Sequence, residues 1–408
     1  MAGSDRYVVI SADCHGGADL LEYRDYLDAR HHDRFDAWAR EYPVLHEDLI
    51  GEQATGNWDS GRRLGDLEAD GIVAEVIFPN TIPPFYPEHS LKAQMPGATE
   101  GDLELRWAGL RAHNRWLADF CAAARGRRAG IAQIMLHDVD AAVAEIEWAA
   151  NAGMHGGLLL PGAPPGSGLE PLYSPVYEPI WSACAAAGLP INHHSGSAVP
   201  PMGDQPIEQA MFLMEVTWWA HRAFWQLVFS GVLERHPNLQ FVFTEQGTAW
   251  IPETLGTLDF IFDRMGTAIG SQEYEWGQPV VEKLSLRPSE YWARQCHVGS
   301  SFMRPAEAVL RHAVGVDKIM WGSDYPHKES SFPYSREALR LSFAGVDPVE
   351  VQQMVGGNAA RLYQFDFDAL APVAARVGPT HAEIATPLPI AEIPPDAIRC
   401  PAFVGLGR

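Results

Sequence analysis

Short apolar runs alternate with longer segments of helical periodicity from Tyr7 to about Tyr363, and this alternation limits the possible folds more than any other feature. Repeated β–α units of this kind build a parallel sheet. Eight is the number of strands that a closed barrel needs, so the sequence predicts an α/β fold, a (β/α)8 TIM barrel with inserted loops on its C-terminal face. The eight predicted strands are Val8–Asp13, Ala74–Phe78, Gly130–Leu136, Gly157–Leu160, Pro190–His194, Gln240–Glu245, Gln295–Gly299 and Lys318–Gly322.

One barrel with long loops accounts for the 408 residues, so we expect a single catalytic domain over residues 1–370. Residues 371–408 are rich in proline and lack a sustained period, and we expect them to form an extended arm over the barrel or over a neighbouring subunit. The segments Ala18–Gly61 and Asn80–Asp102 follow the first two strands without a clear period. They are therefore candidate lids over the active-site face.

The negative net charge of the chain makes some classes of binding partner unfavourable. A net charge of −22 repels nucleic-acid phosphates and anionic lipid surfaces, so we expect neither a nucleic-acid partner nor a membrane partner. The stretch Phe212–Leu233 is the most apolar, but it contains Glu215, His221 and Arg222, which favours a buried helix over a membrane span. The first residues do not resemble a secretory signal, and we expect a cytoplasmic protein.

Residue types that bind metal ions follow several of the predicted strands. The first strand ends in Asp13-Cys14-His15, and the alternation of a strand points Asp13 and His15 to the same side. His193-His194 ends the fifth strand, and Asp324 follows the eighth. A capping aspartate and a surface histidine are the alternative at any one of these places, but their coincidence at three strand ends predicts a site at the C-terminal face of the barrel.

These residues resemble the amidohydrolase superfamily, in particular the amidohydrolase-related branch that includes aminocarboxymuconate-semialdehyde and resorcylate-type decarboxylases. The resemblance extends over about Tyr7–Tyr363. The segments that carry it are Ile10-Ser11-Ala12-Asp13-Cys14-His15, Arg63–Ile72, the Asn114–Leu117 helix start, Ile319–His327 and Gly357–Tyr363.

The resemblance implies that Asp13, His15, His194 and Asp324 hold one divalent metal ion, with His194 preferred over His193 because it precedes Ser195-Gly196. The fourth strand ends in Leu159-Leu160-Pro161-Gly162 and lacks the bridging lysine or glutamate of binuclear members, so a single metal is expected. Two imidazoles and two carboxylates favour Zn²⁺, and Mn²⁺, Fe²⁺ and Mg²⁺ are also compatible with them.

Two reactions are compatible with such a site. The metal lowers the pKa of a bound water, Asp324 accepts its proton, and a small amide, ester or lactone is hydrolysed; this metal-dependent hydrolase is the expected activity. The alternative is a non-oxidative decarboxylase, a carboxy-lyase, of an aromatic or unsaturated acid. Glu245 occupies the place where the family often has a histidine, and it is expected to be a catalytic proton shuttle or a further ligand. A barrel that keeps a metal without catalysis is the third possibility.

Three arginines near predicted strand or loop ends are candidates for binding an anionic small-molecule substrate: Arg63, Arg222 and Arg304. Surface ion pairs are the ordinary alternative for such residues. The C-terminal arm also indicates association, and a homodimer or larger homo-oligomer is expected.

Overall fold

Eight parallel strands form the centre of the protein, in a computed structural model that describes residues 5–42, 49–87, 100–200, 202–203 and 205–405. The strands pair in chain order, each with the next. Their bounds are β1 Ile10–Gly16, β2 Ala74–Pro79, β3 Arg128–Gln133, β4 Gly157–Leu159, β5 Ile191–His194, β6 Phe241–Thr244, β7 Cys296–Ser301 and β8 Ile319–Gly322.

The last strand returns to the first and closes the sheet. A parallel bridge joins Cys14 to Tyr325. The His15 amide donates to the Tyr325 carbonyl at 2.7 Å, and the Asp324 amide donates to the Asp13 carbonyl at 2.7 Å. The predicted (β/α)8 barrel is therefore confirmed, and these bonds also hold three of the predicted ligands side by side.

Helices surround the strands. α4 shows how local sequence sets their limits, since the Asp138 side chain caps its start by accepting from the Ala141 amide at 2.9 Å. The helices are α1 His32–Glu41, α2 Ser60–Ala69, α3 Glu100–Ala122, α4 Val139–Asn151, α5 Glu178–Ala187, α6 Pro206–Phe229, α7 Val232–Arg235, α8 Trp250–Thr267, α9 Gln272–Val281, α10 Pro288–Gln295, α11 Pro305–Val309, α12 Arg311–Val314, α13 Ser335–Phe343, α14 Pro348–Gln352, α15 Asn358–Leu362, α16 Phe367–Val377 and α17 His381–Ala385.

The third strand ends three residues before its predicted end. The pairing of β3 with β4 ends at Gln133 and Leu159, whereas the apolar run continues through Ile134, Met135 and Leu136. These three side chains are buried in the core between the barrel and the helices. Hydrophobic burial therefore extends beyond the ladder, and the apolar run alone did not show where the strand ends.

The remaining segments lie outside the barrel. The first candidate lid contains α1 and short 3₁₀ turns, whereas residues 88–99 of the second lie outside the described residues. The helix α16 spans the expected boundary at residue 371, and short helices and turns follow it. Throughout the described ranges, every helix is either too short or too polar to cross a membrane.

Candidate metal centre

The barrel brings five acidic and imidazole side chains together at its carboxyl end. Asp13 and His15 lie on β1, His194 is the last residue of β5, and Glu245 and Asp324 follow β6 and β8. One ligand atom from each of Asp13, His15, His194 and Glu245 lies within 4.8 Å of the others. Asp324 adjoins this group through His15.

The imidazole nitrogens and carboxylate oxygens of these residues lie close enough together to surround a single metal ion. His15 Nε2 lies 3.1 Å from Asp324 Oδ1 and 3.3 Å from Asp13 Oδ1. His194 Nε2 lies 3.6 Å from Asp13 Oδ1 and 3.2 Å from Glu245 Oε2. Asp13 and Glu245 each offer a carboxylate oxygen within 4.8 Å of the other, and carboxylates this close repel one another unless a cation lies among them.

Both imidazoles present the same nitrogen to the centre. His15 Nδ1 lies 3.2 Å from the Pro79 carbonyl, and His194 Nδ1 lies 3.1 Å from the Ser195 carbonyl. A carbonyl only accepts, so Nδ1 carries the proton in each ring and the neutral ring keeps its lone pair on Nε2. A metal-binding histidine usually donates its other ring N–H to a carbonyl or carboxylate in this way.

Four buried atoms in the group have no hydrogen-bond partner among the residues that the structure describes. They are Asp13 Oδ1, His15 Nε2, His194 Nε2 and Asp324 Oδ2. Leaving such atoms unpaired costs about 1–3 kcal/mol each, and more for charged groups. A divalent cation would satisfy all four, and the mixture of imidazole and carboxylate donors suits one. The site therefore fits the single divalent metal that the sequence predicts.

The pKa values of His15 and Asp13 also indicate that this group of carboxylates favours a positive charge. Burial lowers the pKa of His15, but Asp13 and Asp324 raise it more, so the net pKa is about 10. Burial raises the pKa of Asp13, whereas the imidazoles of His15 and His194 lower it to well below its usual range. Without a metal the carboxylates therefore retain protons on the imidazoles, and a metal would displace them.

Glu245 differs from the other carboxylates. Burial, together with the charges of Asp324 and Asp13, raises its pKa to about 8 despite the lowering effect of His194. About a fifth of its side chain remains exposed. The backbone of Glu245 has φ 55° and that of Asp324 has φ 63°, a region that non-glycine residues rarely adopt. The ends of β6 and β8 thus turn sharply to aim these two side chains inward.

Neighbouring residues fix the ligands. The Ser301 hydroxyl donates to Asp13 Oδ2. His327 Nδ1 lies 2.9 Å from Asp324 Oδ1, and its Nε2 lies 3.0 Å from Asn80 Oδ1. The His327 ring also stacks on His15 at 4.0 Å between centroids. His327 therefore supports two of the candidate ligands.

A cavity of about 300 Å³ opens directly onto these residues. His15, His194, Glu245 and His327 form its polar side. The sequence did not single out the apolar wall, because its residues lie in β2, β4 and α6 and nothing local marks them as neighbours. The apolar wall consists of Phe78, Pro79, Leu159, Phe212, Leu213 and Val216.

His193, the rival to His194, points away from the centre. Its Nδ1 lies 3.0 Å from the Leu160 carbonyl, and its ring packs near Phe241 at 6.0 Å. Burial lowers its pKa to about 4. His193 is therefore a neutral residue of the core, as the alternation of β5 requires.

None of the three candidate substrate arginines lines the described wall of the cavity. Arg63 is fully buried and bound to Glu75 at 2.6 Å, so its guanidinium is occupied by an ion pair within the protein. The Arg222 guanidinium lies 5.0 Å from the centre of the Trp219 ring. Arg304 is about half exposed and pairs with Glu307 at 3.2 Å. Substrate binding by Arg222 or Arg304 stays a prediction.

Known proteins with this fold include several decarboxylases. Over 272 residues, 63% of this chain and 76% of the relative, the sequence is 25% identical to γ-resorcylate decarboxylase from Rhizobium sp. (strain MTP-10005). The structure of 5-carboxyvanillate decarboxylase from Sphingomonas paucimobilis matches with a TM-score of 0.64 and 22% identity, over 88% of this chain and all of that one. The manganese-bound 5-carboxyvanillate decarboxylase from Novosphingobium aromaticivorans matches with a TM-score of 0.64 and 19% identity, over 89% and 98% of the two chains.

These relatives overturn the expected hydrolase. The curated sequence relatives include γ-resorcylate decarboxylases, and so the comparison favours the alternative reaction. The physical reason for the error is that hydrolysis and decarboxylation both use a metal held by histidine and aspartate, and the ligands alone do not distinguish them. The family model described as amidohydrolase matches residues 64–365, which is most of the barrel. The chain therefore belongs to the amidohydrolase family.

Proposed function

We propose that this protein is a metal-dependent, non-oxidative decarboxylase of a small hydroxylated aromatic acid. The observation that carries the proposal is the convergence of unpaired ligand atoms from Asp13, His15, His194 and Asp324 at one end of a cavity with an aromatic and aliphatic wall. The names of the relatives supply the substrate class, since resorcylate and carboxyvanillate are both hydroxylated aromatic acids.

The cavity suits a substrate with a single ring. Its volume of about 300 Å³ is at the lower end for small-molecule sites. Phe78, Phe212 and Val216 offer apolar surface to the ring. No lysine or arginine belongs to the described wall, so a substrate anion finds its positive charge at the metal centre. A bound divalent metal supplies that charge and stabilises negative oxygen atoms of the substrate.

Glu245 is the residue we assign to proton transfer. Its carboxyl group faces the cavity beside His194. In the proposed reaction it gives a proton to the ring carbon that bears the carboxylate. The bond from that carbon to the carboxylate then breaks, its electron pair returns to the ring, and CO2 leaves. His327 holds Asp324 in place at 2.9 Å during this step.

The identity of the metal is a further proposal. The ligand types favour Zn²⁺, which stays a prediction. Manganese is bound in the solved relative from Novosphingobium aromaticivorans, and carboxylate-rich sites suit Mn²⁺ well. We therefore propose Mn²⁺ or Zn²⁺, to be separated by the rates of chelated protein reloaded with each ion. A homodimer and a cytoplasmic location also stay predictions, and light scattering after gel filtration would test the first.

The proposed activity is tested with purified, metal-loaded protein and a panel of 2,6-dihydroxybenzoate, 5-carboxyvanillate and other hydroxybenzoates. We expect CO2 and the corresponding phenol from at least one member of the panel, and no release after chelation. Aryl amides, esters and lactones serve as controls for hydrolysis. Hydrolysis of one of these controls without release of CO2 from any acid in the panel would contradict the proposal.

The variant Glu245→Gln separates proton transfer from metal binding. We expect metal content to stay at the wild-type level and CO2 release to fall by about 10²–10⁴-fold, the usual contribution of a general acid. Glu329→Gln is the matched control, because Glu329 lines the same cavity but lies outside the ligand group; a much smaller loss is expected. Loss of metal from Glu245→Gln would instead make Glu245 a ligand.

A further inference from the structure

A second pocket lies away from the metal centre and shares no lining residue with the cavity described above. It is formed by α1, the loop after β2 and α3, and its volume is about 300 Å³. Trp38, Tyr42, Phe85 and Tyr86 form its aromatic sides, and Arg106 supplies its positive charge. The pocket belongs to no step of the proposed reaction.

Arg106 is unusual among the arginines of the chain. It is only 9% exposed. Its Nε and Nη1 atoms are buried without a hydrogen-bond partner among the residues that the structure describes. Glu41 also lines the pocket, but it forms no ion pair with Arg106 within the described ranges. A buried guanidinium without an anion is costly, since several kcal/mol of hydration are lost without compensation.

The positive charge of Arg106 affects the pKa values of two other residues, His137 and Tyr86. Burial and then the charge of Arg106 lower the pKa of His137. The same charge opposes the increase that burial causes in the pKa of Tyr86. Neither Tyr86 nor His137 therefore offers the guanidinium a negative charge.

The walls of the pocket are held by specific contacts. The Phe85 ring packs against Trp38 at 5.8 Å and against Phe35 at 6.3 Å, while Trp38 packs against Tyr42 at 4.7 Å. The loop that carries Phe85 reaches α3 at Gly109, where an added Cβ would lie 1.9 Å from the Pro84 carbonyl oxygen. This close approach, three residues after Arg106, places the aromatic loop beside the guanidinium.

We infer that this second pocket binds a planar aromatic carboxylate. The guanidinium offers the paired donors that a carboxylate accepts, and the rings of Trp38 and Tyr42 offer flat apolar surface to an aromatic body. A phosphate would use the arginine but would leave the aromatic walls without a partner. The inference is independent of the proposed decarboxylation, because it needs neither the metal nor any residue of the metal centre.

Equilibrium dialysis with labelled benzoate tests the inference on the metal-loaded protein. We expect Arg106→Gln to reduce the number of benzoate molecules bound per chain by one. The matched control is Arg111→Gln, which removes the same charge from a partly exposed position on α3 and should leave the number unchanged. An equal number in the Arg106→Gln protein and the wild type would overturn the inference.

Two further comparisons test the class of ligand and guard against a folding defect. Trp38→Leu keeps Arg106 and should weaken benzoate at this site by about tenfold through loss of ring contacts; unchanged affinity would overturn the aromatic part of the inference. Cyclohexanecarboxylate has the same charge without a flat ring, and we expect it to bind about tenfold more weakly than benzoate. Equal binding of the two acids, or tighter binding of inorganic phosphate, would also overturn the inference.

Discussion

Replacement of Arg63 by methionine should destabilise the fold rather than weaken substrate binding. Arg63 is fully buried, and it donates to Glu75 from Nε at 2.9 Å and from Nη2 at 2.6 Å. Its Nη1 donates to the carbonyls of His15 at 2.7 Å and Gly56 at 2.9 Å. One side chain thus ties a buried carboxylate to the strand that carries two candidate ligands.

The magnitude follows from what Arg63→Met leaves behind. Among the described residues Glu75 would keep its ion pair with Arg128 at 3.1 Å, and breaking a buried ion pair from one side costs about 3–5 kcal/mol. The carbonyls of His15 and Gly56 would lose a donor as well, which adds about 1 kcal/mol or more. A loss of about 4–6 kcal/mol is a large part of the 5–15 kcal/mol that usually stabilises a protein.

Urea unfolding followed by circular dichroism measures this loss. Arg62→Met is the matched control, because the neighbouring arginine is about a third exposed and pairs with Asp66 at 3.4 Å. The control should lose at most about 1 kcal/mol. If Arg63→Met instead kept wild-type stability and raised only the KM for substrate, the structural role would be refuted and the substrate role restored.

Two more predictions concern other buried positions. Burial raises the pKa of Asp70 to about 7, so between about pH 4 and pH 7 the folded state keeps a proton that the unfolded state loses, and the free energy of unfolding should fall as the pH rises through this range. Asp70→Asn should therefore stabilise the protein at pH 8 by up to about 4 kcal/mol in urea unfolding, with a smaller gain at pH 5. At Gly322 an added Cβ would lie 2.6 Å from Asp13 Cβ, so Gly322→Ala should weaken metal binding by about 10–100-fold in competition with a chelator.

Each of these predictions has its own control. For Asp70→Asn, the wild type measured at both pH values is the reference, and an equal gain at pH 5 and pH 8 would contradict the assigned pKa. For Gly322→Ala, the control is Gly65→Ala in α2, where an added Cβ meets nothing within 4 Å. Replacing a glycine by alanine inside a helix stabilises the helix by about 0.5–1 kcal/mol. Unchanged metal affinity in Gly322→Ala would show that Asp13 tolerates displacement.

Local patterns were sufficient to predict the barrel and the group of candidate ligands. Strand alternation placed Asp13 and His15 on one side, and the carboxyl ends of parallel strands meet at one face, which brings His194 and Asp324 to the same place. Their convergence is a consequence of topology. Whether they bind a metal is still a prediction that metal analysis must test.

The parts that the sequence did not predict depend on long-range packing. Phe212 and Val216 line the cavity from the first half of α6, and periodicity alone does not encode that placement. The burial of Arg63 required knowledge of its partner Glu75 on β2. The hydrolase expectation was wrong for a different reason, since a shared ligand set leaves the reaction to the cavity and the substrate.

Proton NMR of the product formed in D2O by the Mn²⁺-loaded protein tests the central claim most directly. We expect a phenol that carries one deuterium at the carbon that previously held the carboxylate, together with one equivalent of CO2, and neither product from the Asp13→Asn protein. Recovery of the acid unchanged across the hydroxybenzoate panel, with cleavage of an amide, ester or lactone instead, would contradict it.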